Sequence, residues 1–367
     1  EENFSKEAIK LKKIILTGGG TAGHVTPNIA LIPELKKLDF AIFYIGSKNG
    51  IEKQLINGLE IEYFQIAAGK LRRYFDIKNF IDFIYIAKGF FQSLKLIKKI
   101  KPDVIFSKGG FVAAPVVWAA YFCKVPVVVH ESDITPGLAN KISMPFANKI
   151  CYSFPETVKY IEKYVNNKAC FTGIPIRNEI LFGNKNTGLH ICGFTNNKPT
   201  ILVMGGSLGS KILNDVIRME LKNLLSAFQI CHLCGRGSID NKLVGLNGYK
   251  QFEYVNEELP HLLAMADAVV SRAGATTLFE LLALQKPNLL IPLSRKASRG
   301  DQILNAKSFK EKGFSYVLQE EELNPSSLLE NILAVYNERE TLIKRMKRSN
   351  MGNGTKKVIE VILEQIK

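Results

Sequence analysis

Two glycine-rich loops of one design, half a chain apart, set the strongest limit on what this sequence can fold into. In the first, Lys12-Lys13-Ile14-Ile15-Leu16-Thr17 runs into Gly18-Gly19-Gly20-Thr21-Ala22-Gly23-His24. In the second, Thr200-Ile201-Leu202-Val203-Met204 runs into Gly205-Gly206-Ser207-Leu208-Gly209-Ser210. Each reads as a short apolar strand, a glycine turn and the start of a helix. That is the opening unit of a doubly wound α/β domain, in which a helix N-terminus offers unpaired N–H groups and a positive dipole end to anions. One such loop is a weak signal, because many strand-to-helix turns need glycine only for backbone geometry. Two imply a pair of domains facing one another, with a phosphate-bearing ligand between them.

The rest of the chain agrees. Its 367 residues suit two domains of ordinary size. Strand-like runs at Ile14–Leu16, Ala41–Ile45, Val104–Phe106, Val125–Val129, Ile150–Tyr152, Ile201–Met204, Ala268–Ser271 and Asn288–Ile291 alternate with helical periods. Hairpin signals are few, so the fold class is α/β with mainly parallel sheets, two doubly wound Rossmann-like domains facing a central cleft. A Gly/Pro interruption at Phe171–Arg177 precedes a polar stretch at 183–198 and marks the boundary. The expected division is 1–173, 174–345, and a basic C-terminal helix at 346–367 folding back on the first domain.

Six cysteines in a chain of this length make no disulfide framework, which points to a reducing, cytoplasmic setting. Cys231-His232-Leu233-Cys234 resembles a metal or redox pair, but no second pair stands at a suitable spacing, so it reads as structural and no metal site is expected. The opening residues are too polar for a signal peptide. The apolar run Phe111–Cys123 is too short to span a bilayer.

Net charge is the less ordinary quantity, at +15. It favours anionic partners. Nucleic acid is not among them, because no recognisable binding motif or aromatic platform accompanies the lysines. Between Lys70 and Lys101, nine Lys/Arg, among them Arg72 and Arg73, stand against Asp76 and Asp82. Here Ile77, Ile81 and Ile84 fall on one helical stripe, which Lys88 continues; Phe83, Ala87, Phe90, Leu94 and Ile97 fall on another. One stripe packs on the sheet. The other is either a wide core face or a contact with an anionic membrane surface.

Further motifs sit at the carboxyl ends of strands, where ligands bind in open α/β sheets. Ser107-Lys108-Gly109-Gly110-Phe111 and His130-Glu131-Ser132-Asp133 lie in the first half. Ala273-Gly274-Ala275-Thr276-Thr277-Leu278-Phe279-Glu280 and Gln302-x-x-Asn305-Ala306 lie in the second. From about Lys12 to the C-terminus, the chain resembles the MurG family of N-acetylglucosaminyltransferases, which convert lipid I to lipid II in bacterial cell-wall synthesis. The family's GGTGGH, GGY, HEQN, GNPVR, GGSQGA, SGA-x₄-E and Q-x-x-NA motifs appear in order, each identical or slightly altered.

The resemblance implies a two-domain GT-B fold and an inverting transfer of GlcNAc from UDP-GlcNAc to the MurNAc 4-hydroxyl of undecaprenyl-pyrophosphoryl-MurNAc-pentapeptide, without cofactor. It places donor contacts at Thr21, Ala22, Gly23, Asp133, Arg177, Ser207, Val255, Ala275, Thr276, Thr277, Leu278, Glu280 and Gln302. Acceptor contacts fall at His24, Gly110, Phe111, Glu131 and Asn140. The basic, two-striped segment, and not a family motif, puts the expected membrane contacts at Arg72, Arg73, Ile77, Ile81 and Ile84. The resemblance further implies a peripheral location on the cytoplasmic face of the inner membrane, with other cell-wall synthesis and division proteins as partners.

The residues fit this chemistry on their own terms. A carboxylate at Glu280, two turns into a helix, can accept from both ribose hydroxyls. No Asp-x-Asp occurs in the chain, so leaving-group charge must be met by backbone donors, helix ends and cations such as Arg177. An inverting transfer needs a base. His24 is the first choice, since an unperturbed imidazole titrates near pH 6.5; Glu131 is the competitor, with His130 beside it to orient it. His190, His232 and His261 read as structural or surface residues.

Departures from the family pattern fall on single contacts. Ala22 replaces glycine, Phe111 replaces tyrosine, Leu208 replaces glutamine and Ile174 replaces asparagine. Asp133 stands where the family has asparagine, and its added charge needs compensation from Lys108, Arg177 or a donor hydroxyl. Three other readings share parts of the pattern: a diacylglycerol glycosyltransferase, a non-hydrolysing UDP-GlcNAc epimerase, and a nucleotide-sugar-binding scaffold without activity. The combination of His24, Glu131 and Glu280 argues against the scaffold, because a binder has no need of a base.

Overall fold

A computed structural model describes residues 11–69, 78–206 and 209–366; within it, the side chains of residues 78–81 and 165 are not described. The chain divides into two compact units. One runs up to Glu131 and takes in Pro136–Pro175 and the chain from Gly354 onward; the other holds Ser132–Thr135 and Ile176–Asn353. The changes of unit thus fall at Pro175/Ile176 and Asn353/Gly354, where the sequence places them at 173/174 and 345/346. Four residues after Glu131 also go to the second unit.

The first unit carries strands β1 (Lys12–Thr17), β2 (Phe40–Ser47), β3 (Glu62–Ile66), β4 (Val104–Ser107), β5 (Val127–Glu131), β6 (Lys149–Tyr152) and β7 (Ala169–Phe171). They form a parallel sheet in the order β3-β2-β1-β4-β5-β6-β7. The order reverses beside β1, the position at which an α/β sheet opens a ligand crevice. Helices α1 (Thr26–Lys37), α2 (Ile51–Ile56), α3 (Lys78–Ile100), α4 (Ala113–Phe122), α5 (Leu138–Ser143) and α6 (Val158–Val165) cover it. Because side chains alternate along a strand, Ile14 and Leu16 join one core with Leu31, Leu35 and Tyr44, while Ile15 joins the other with Ile97, Ile105 and Val116. The terminal helix Thr355–Leu363 adds Val358 and Ile362 to the first of these cores.

The rotation of α3 differs from the sequence reading. Its inward line is Ile86, Gly89, Ser93, Ile97 and Ile100, all buried. A methyl on Gly89 would stand 2.1 Å from the Ala67 carbonyl oxygen, so the smallest residue of the helix lets it seat closely on that backbone. Seating there turns Phe83, Ile84 and Ala87 to solvent and divides the expected Phe83-to-Ile97 stripe. Arg72, Arg73 and Ile77 lie outside the described residues, as does the side chain of Ile81.

The second unit repeats the plan with β8 (Thr200–Met204), β9 (Gln229–Leu233), β10 (Tyr249–Phe252), β11 (Ala268–Ser271), β12 (Asn288–Leu290) and β13 (Tyr316–Val317). Its parallel order is β10-β9-β8-β11-β12-β13, again reversing beside the strand that feeds the glycine loop. The helices that concern the site are α7 (Lys185–Cys192), α8 (Lys211–Met219), α9 (Leu221–Ala227), α10 (Leu259–Met265), α11 (Ala275–Ala283) and α12 (Asp301–Glu311).

Candidate active-site residues in the two units

In the first unit, two glycine loops meet backbone to backbone. The Gly19 N–H donates to the Gly109 carbonyl at 3.3 Å, and the Lys108 N–H donates to Thr17 at 2.8 Å. A methyl on Gly110 would lie 2.0 Å from the Gly19 oxygen, and one on Gly20 would lie 2.7 Å from the Phe111 ring. Gly20 also has φ of 89°, a conformation that L side chains avoid. Side-chain-free residues are therefore a steric requirement here. The Phe111 ring braces the first loop, a task for which the missing hydroxyl is not needed. Ala22 opens a short 3₁₀ turn, Ala22–His24, without a positive φ, so its extra methyl is accommodated.

That turn delivers His24 immediately before α1. Its Nδ1 lies 3.2 Å from the Lys108 carbonyl oxygen. A carbonyl only accepts, so Nδ1 is the nitrogen that carries a proton, and in the neutral ring the lone pair falls to Nε2. Thr21 beside it is exposed, and Gly23 is half-buried.

Glu131 is placed differently. It ends β5, is 3% exposed, and its Oε2 accepts from the Gly137 N–H at 3.0 Å and the Asn140 amide at 2.8 Å. Asn140 is itself buried and also donates to the His130 carbonyl. The expected pairing of His130 with Glu131 is not what orients the carboxylate: His130 Nε2 donates to the Gly173 carbonyl at 2.8 Å, and Nδ1 has no hydrogen-bond partner. Complete burial, with the Lys108 charge nearby, holds this imidazole well below its ordinary pKa and therefore neutral.

In the second unit, Glu280 lies in the second turn of α11, 8% exposed, and Arg177 Nη2 stands 3.4 Å from its Oε1. Burial raises the carboxyl pKa, and the Arg177 charge and hydrogen bond pull it back. Gly274 caps α11 without a side-chain bond, so among the described residues no cap side chain takes the first N–H groups of that helix, and Thr276 and Thr277 are half-buried beside them. Leu278 is fully buried and Val255 is 8% exposed, so both offer a ligand little beyond backbone. Gln302 Oε1 accepts from Ala273 N–H at 3.2 Å and Leu293 N–H at 3.1 Å, fastening the loop ahead of α11 to the one after β12.

Ser207 and Leu208 lie outside the described residues. The residues that follow them are held in place. Gly209 has φ of 75° and packs on the Cys234 carbonyl, and Ser210 caps α8 through Leu213 N–H. Arg272 holds that cap from beneath, donating to Ser210 Oγ at 2.6 Å and pairing with Glu320 at 2.5 Å. Asp133 meets the Asn305 amide at 2.9 Å and Arg299 at 4.0 Å, while Arg299 also pairs with Asp301 at 2.6 Å. Its compensation thus includes Asn305 and Arg299, neither of which the sequence reading named for it. An arginine two residues before Asp301 in a ligand-side loop was the available signal.

His232, His261 and the cysteines of the Cys-His-Leu-Cys run have structural places, and His190 is exposed. His232 bonds Tyr249 and Asn214, and burial drops it to about 3; His261 Nδ1 accepts the Asn184 N–H. Cys231 and Cys234 are buried thiols that burial pushes up.

Comparison with known proteins adds the family. The glycosyltransferase family 28 N-terminal domain matches residues 14–152, and the family 28 C-terminal domain matches residues 200–362. A UDP-N-acetylglucosamine–N-acetylmuramyl-(pentapeptide) pyrophosphoryl-undecaprenol N-acetylglucosamine transferase of Clostridium botulinum strain Hall is 57% identical over 357 residues, covering 97% of this chain and all of its own. The enzyme of that name from Clostridium tetani is 58% identical over 351 residues, covering 96% of this chain and 97% of its own. Among solved structures, Acinetobacter baumannii MurG aligns with a TM-score of 0.75 at 24% identity, over 96% of this chain and 99% of its own. A UDP-GlcNAc 2-epimerase of Neisseria meningitidis aligns at 0.63 and 13% identity, over 96% and 100%, which is a likeness of fold.

Proposed function

The chain belongs to glycosyltransferase family 28 and, within it, to the MurG family, and from that premise we propose that it transfers GlcNAc from UDP-GlcNAc to lipid I, giving lipid II. The observation that carries the substrates is identity above half along nearly the whole length of enzymes so named. The epimerase likeness is of fold alone, and folds of this kind host many chemistries.

The second unit holds the donor. Glu280 accepts from the ribose hydroxyls, and Arg177 keeps its carboxylate ionised and aimed. The uncapped N-terminus of α11 and the hydroxyls of Thr276 and Thr277 face the diphosphate, so charge on the departing UDP is met by fixed donors. With its oxygen engaged by two backbone N–H groups, Gln302 reaches the donor through its amide nitrogen.

The first unit holds the acceptor and the base. Direct displacement at the anomeric carbon inverts it, and the acceptor hydroxyl must lose its proton as it attacks. His24 Nε2, with its lone pair fixed by the Nδ1 bond to Lys108, takes that proton. Glu131 instead shapes the turn into α5, since its Oε2 is committed to Gly137 and Asn140.

The acceptor's lipid tail calls for a membrane surface, and α3 and α4 supply one. Phe83 is 70%, Phe91 68% and Phe122 66% exposed, with Ile84 and Tyr121 also exposed. Rings run from Phe91 through Phe90 to Phe122 and Tyr121 at 5.4–5.8 Å between centroids. An aromatic patch of this size, beside exposed Lys88, suits shallow insertion at the cytoplasmic membrane face. No helix among the described residues is long and apolar enough to cross a membrane.

The deciding experiment offers the protein UDP-GlcNAc with a lipid I analogue and measures UDP release. Activity only with UDP-glucose and diacylglycerol, or conversion of UDP-GlcNAc alone, would replace this reading with one of the alternatives.

A further inference from the structure

Two glycines around the first loop, Gly19 and Gly50, leave the space where a side chain would stand to one carboxylate. Glu52, on α2, is completely buried. A methyl on Gly19 would stand 2.6 Å from its carboxyl carbon and one on Gly50 2.2 Å from its oxygens, while one on Gly46 would meet the Tyr63 hydroxyl at 2.3 Å before the Glu52 Cγ at 2.9 Å. Its two oxygens have separate tasks. Oε1 accepts the N–H and hydroxyl of Ser47, at 2.9 and 2.5 Å, at the end of β2. Oε2 accepts the Gly20 N–H at 3.2 Å, at the crest of the loop that leads to His24.

Around it lies a buried polar frame. The Tyr44 hydroxyl donates to the Gly18 carbonyl at 2.7 Å, Asn28 donates to Thr17 and to Tyr44, and the Tyr63 hydroxyl donates to Ser47 at 2.6 Å. Burying a carboxylate is costly unless donors satisfy it. A loop that needed glycine only to turn would require no such residue. We propose that Glu52 is a positioning residue for the transfer, holding the Gly18–Gly23 backbone in the one shape that sets His24 against the acceptor hydroxyl. This rests on the assignment of His24 given above.

Glu52→Gln separates the two oxygens. Its less costly orientation keeps the amide oxygen on the two Ser47 donors and turns the amide nitrogen on the Gly20 N–H, donor against donor. Tyr63→Phe is the companion variant: it removes a bond from the same frame, on the Ser47 carbonyl, without touching the loop. Two measurements are made, hydrogen exchange of a peptide spanning residues 18–25 and steady-state kinetics. For Glu52→Gln, exchange should quicken about 5- to 10-fold. Misplacing the base should lower kcat about 10- to 100-fold with KM for UDP-GlcNAc unchanged. Tyr63→Phe should leave kcat within about twofold.

Wild-type loop exchange in Glu52→Gln would overturn the inference. So would quickened exchange with full kcat, or an equal kcat loss in Tyr63→Phe, which would make the effect one of stability. The exchange arm is independent of the His24 assignment. Full kcat in His24→Ala alongside quickened exchange in Glu52→Gln would sink that assignment while leaving the loop contact standing.

Discussion

Arg177 Nη2 and Glu280 Oε1 stand 3.4 Å apart, so the cation that follows the Gly-Ile-Pro-Ile turn serves the carboxylate on α11 before it serves any phosphate. The pairing opposes the burial that raises the Glu280 carboxyl. Glu280→Ala should lose two charge-assisted hydrogen bonds to the donor, each about 1.5–3 kcal/mol before water competes, and raise KM for UDP-GlcNAc roughly 10- to 100-fold. Arg177→Ala should do part of the same by leaving the carboxyl protonated more of the time. Unchanged donor affinity in the Glu280→Ala variant would remove this carboxylate from the site.

The raised pKa also has a pH consequence. Ribose hydroxyls donate to the ionised carboxylate, so donor affinity should fall on acidification, beginning above the usual carboxylate range. Folding carries the opposite sign. A buried carboxyl raised above its unfolded value favours the folded state at low pH and gives that contribution up as pH rises through the folded pKa. Glu280→Gln should therefore lose the acid limb of binding while becoming relatively more stable than the parent as pH rises. Binding and melting titrations from acid to neutral pH check both, and an acid limb that survives in the Glu280→Gln variant belongs to another group.

His24→Ala should cost about 10²–10⁴ in kcat with little change in donor affinity, because a positioned base contributes that much. The parent's pH–rate profile should show an acid limb that the variant lacks. Its persistence in His24→Ala and loss in Glu131→Gln would move the base to Glu131. The geometry argues the reverse outcome: Glu131→Gln should act through the turn at Gly137 and Asn140, raising the acceptor KM.

Activity should survive excess chelator, with at most a modest loss from removing magnesium that screens the diphosphate in solution. The α11 N-terminus is assigned the leaving-group charge that a metal would otherwise take. Complete, metal-reversible inactivation would require a cation site that these residues do not account for.

The two loops, the parallel sheets and the residues at the strand ends were legible because each rests on a local rule: apolar run, glycine turn, helix start. What escaped was set by tertiary packing. Glu52 looks like any acidic residue on a short helix, and only its burial beneath Gly19 and Gly50 gives it a role. The pairing of Arg299 and Asn305 with Asp133 joins residues more than 160 positions apart. Helical periodicity showed that α3 has two apolar lines but not which faces inward; the close seat of Gly89 on Ala67 decides that.

That rotation moves the membrane test onto residues whose side chains are plainly outside the core. The double variant Phe83→Ser, Phe91→Ser should fold as the parent does, since both rings are about 70% exposed. Inserting a phenyl ring into an apolar phase is worth about 1.5–3 kcal/mol, so losing two should weaken binding to vesicles by roughly two to four orders of magnitude at full insertion, less if insertion is shallow. This part should persist at high salt. Reversing Arg72 and Arg73 to Glu tests the electrostatic part, at about 1 kcal/mol per basic residue, which salt should screen within roughly 10 Å at 0.1 M. Turnover of a short-chain, water-soluble acceptor should be unchanged in the Phe variant. If vesicle binding is retained there while turnover of the soluble acceptor falls, the aromatic patch handles the acceptor itself, and attachment to the membrane lies elsewhere on the molecule.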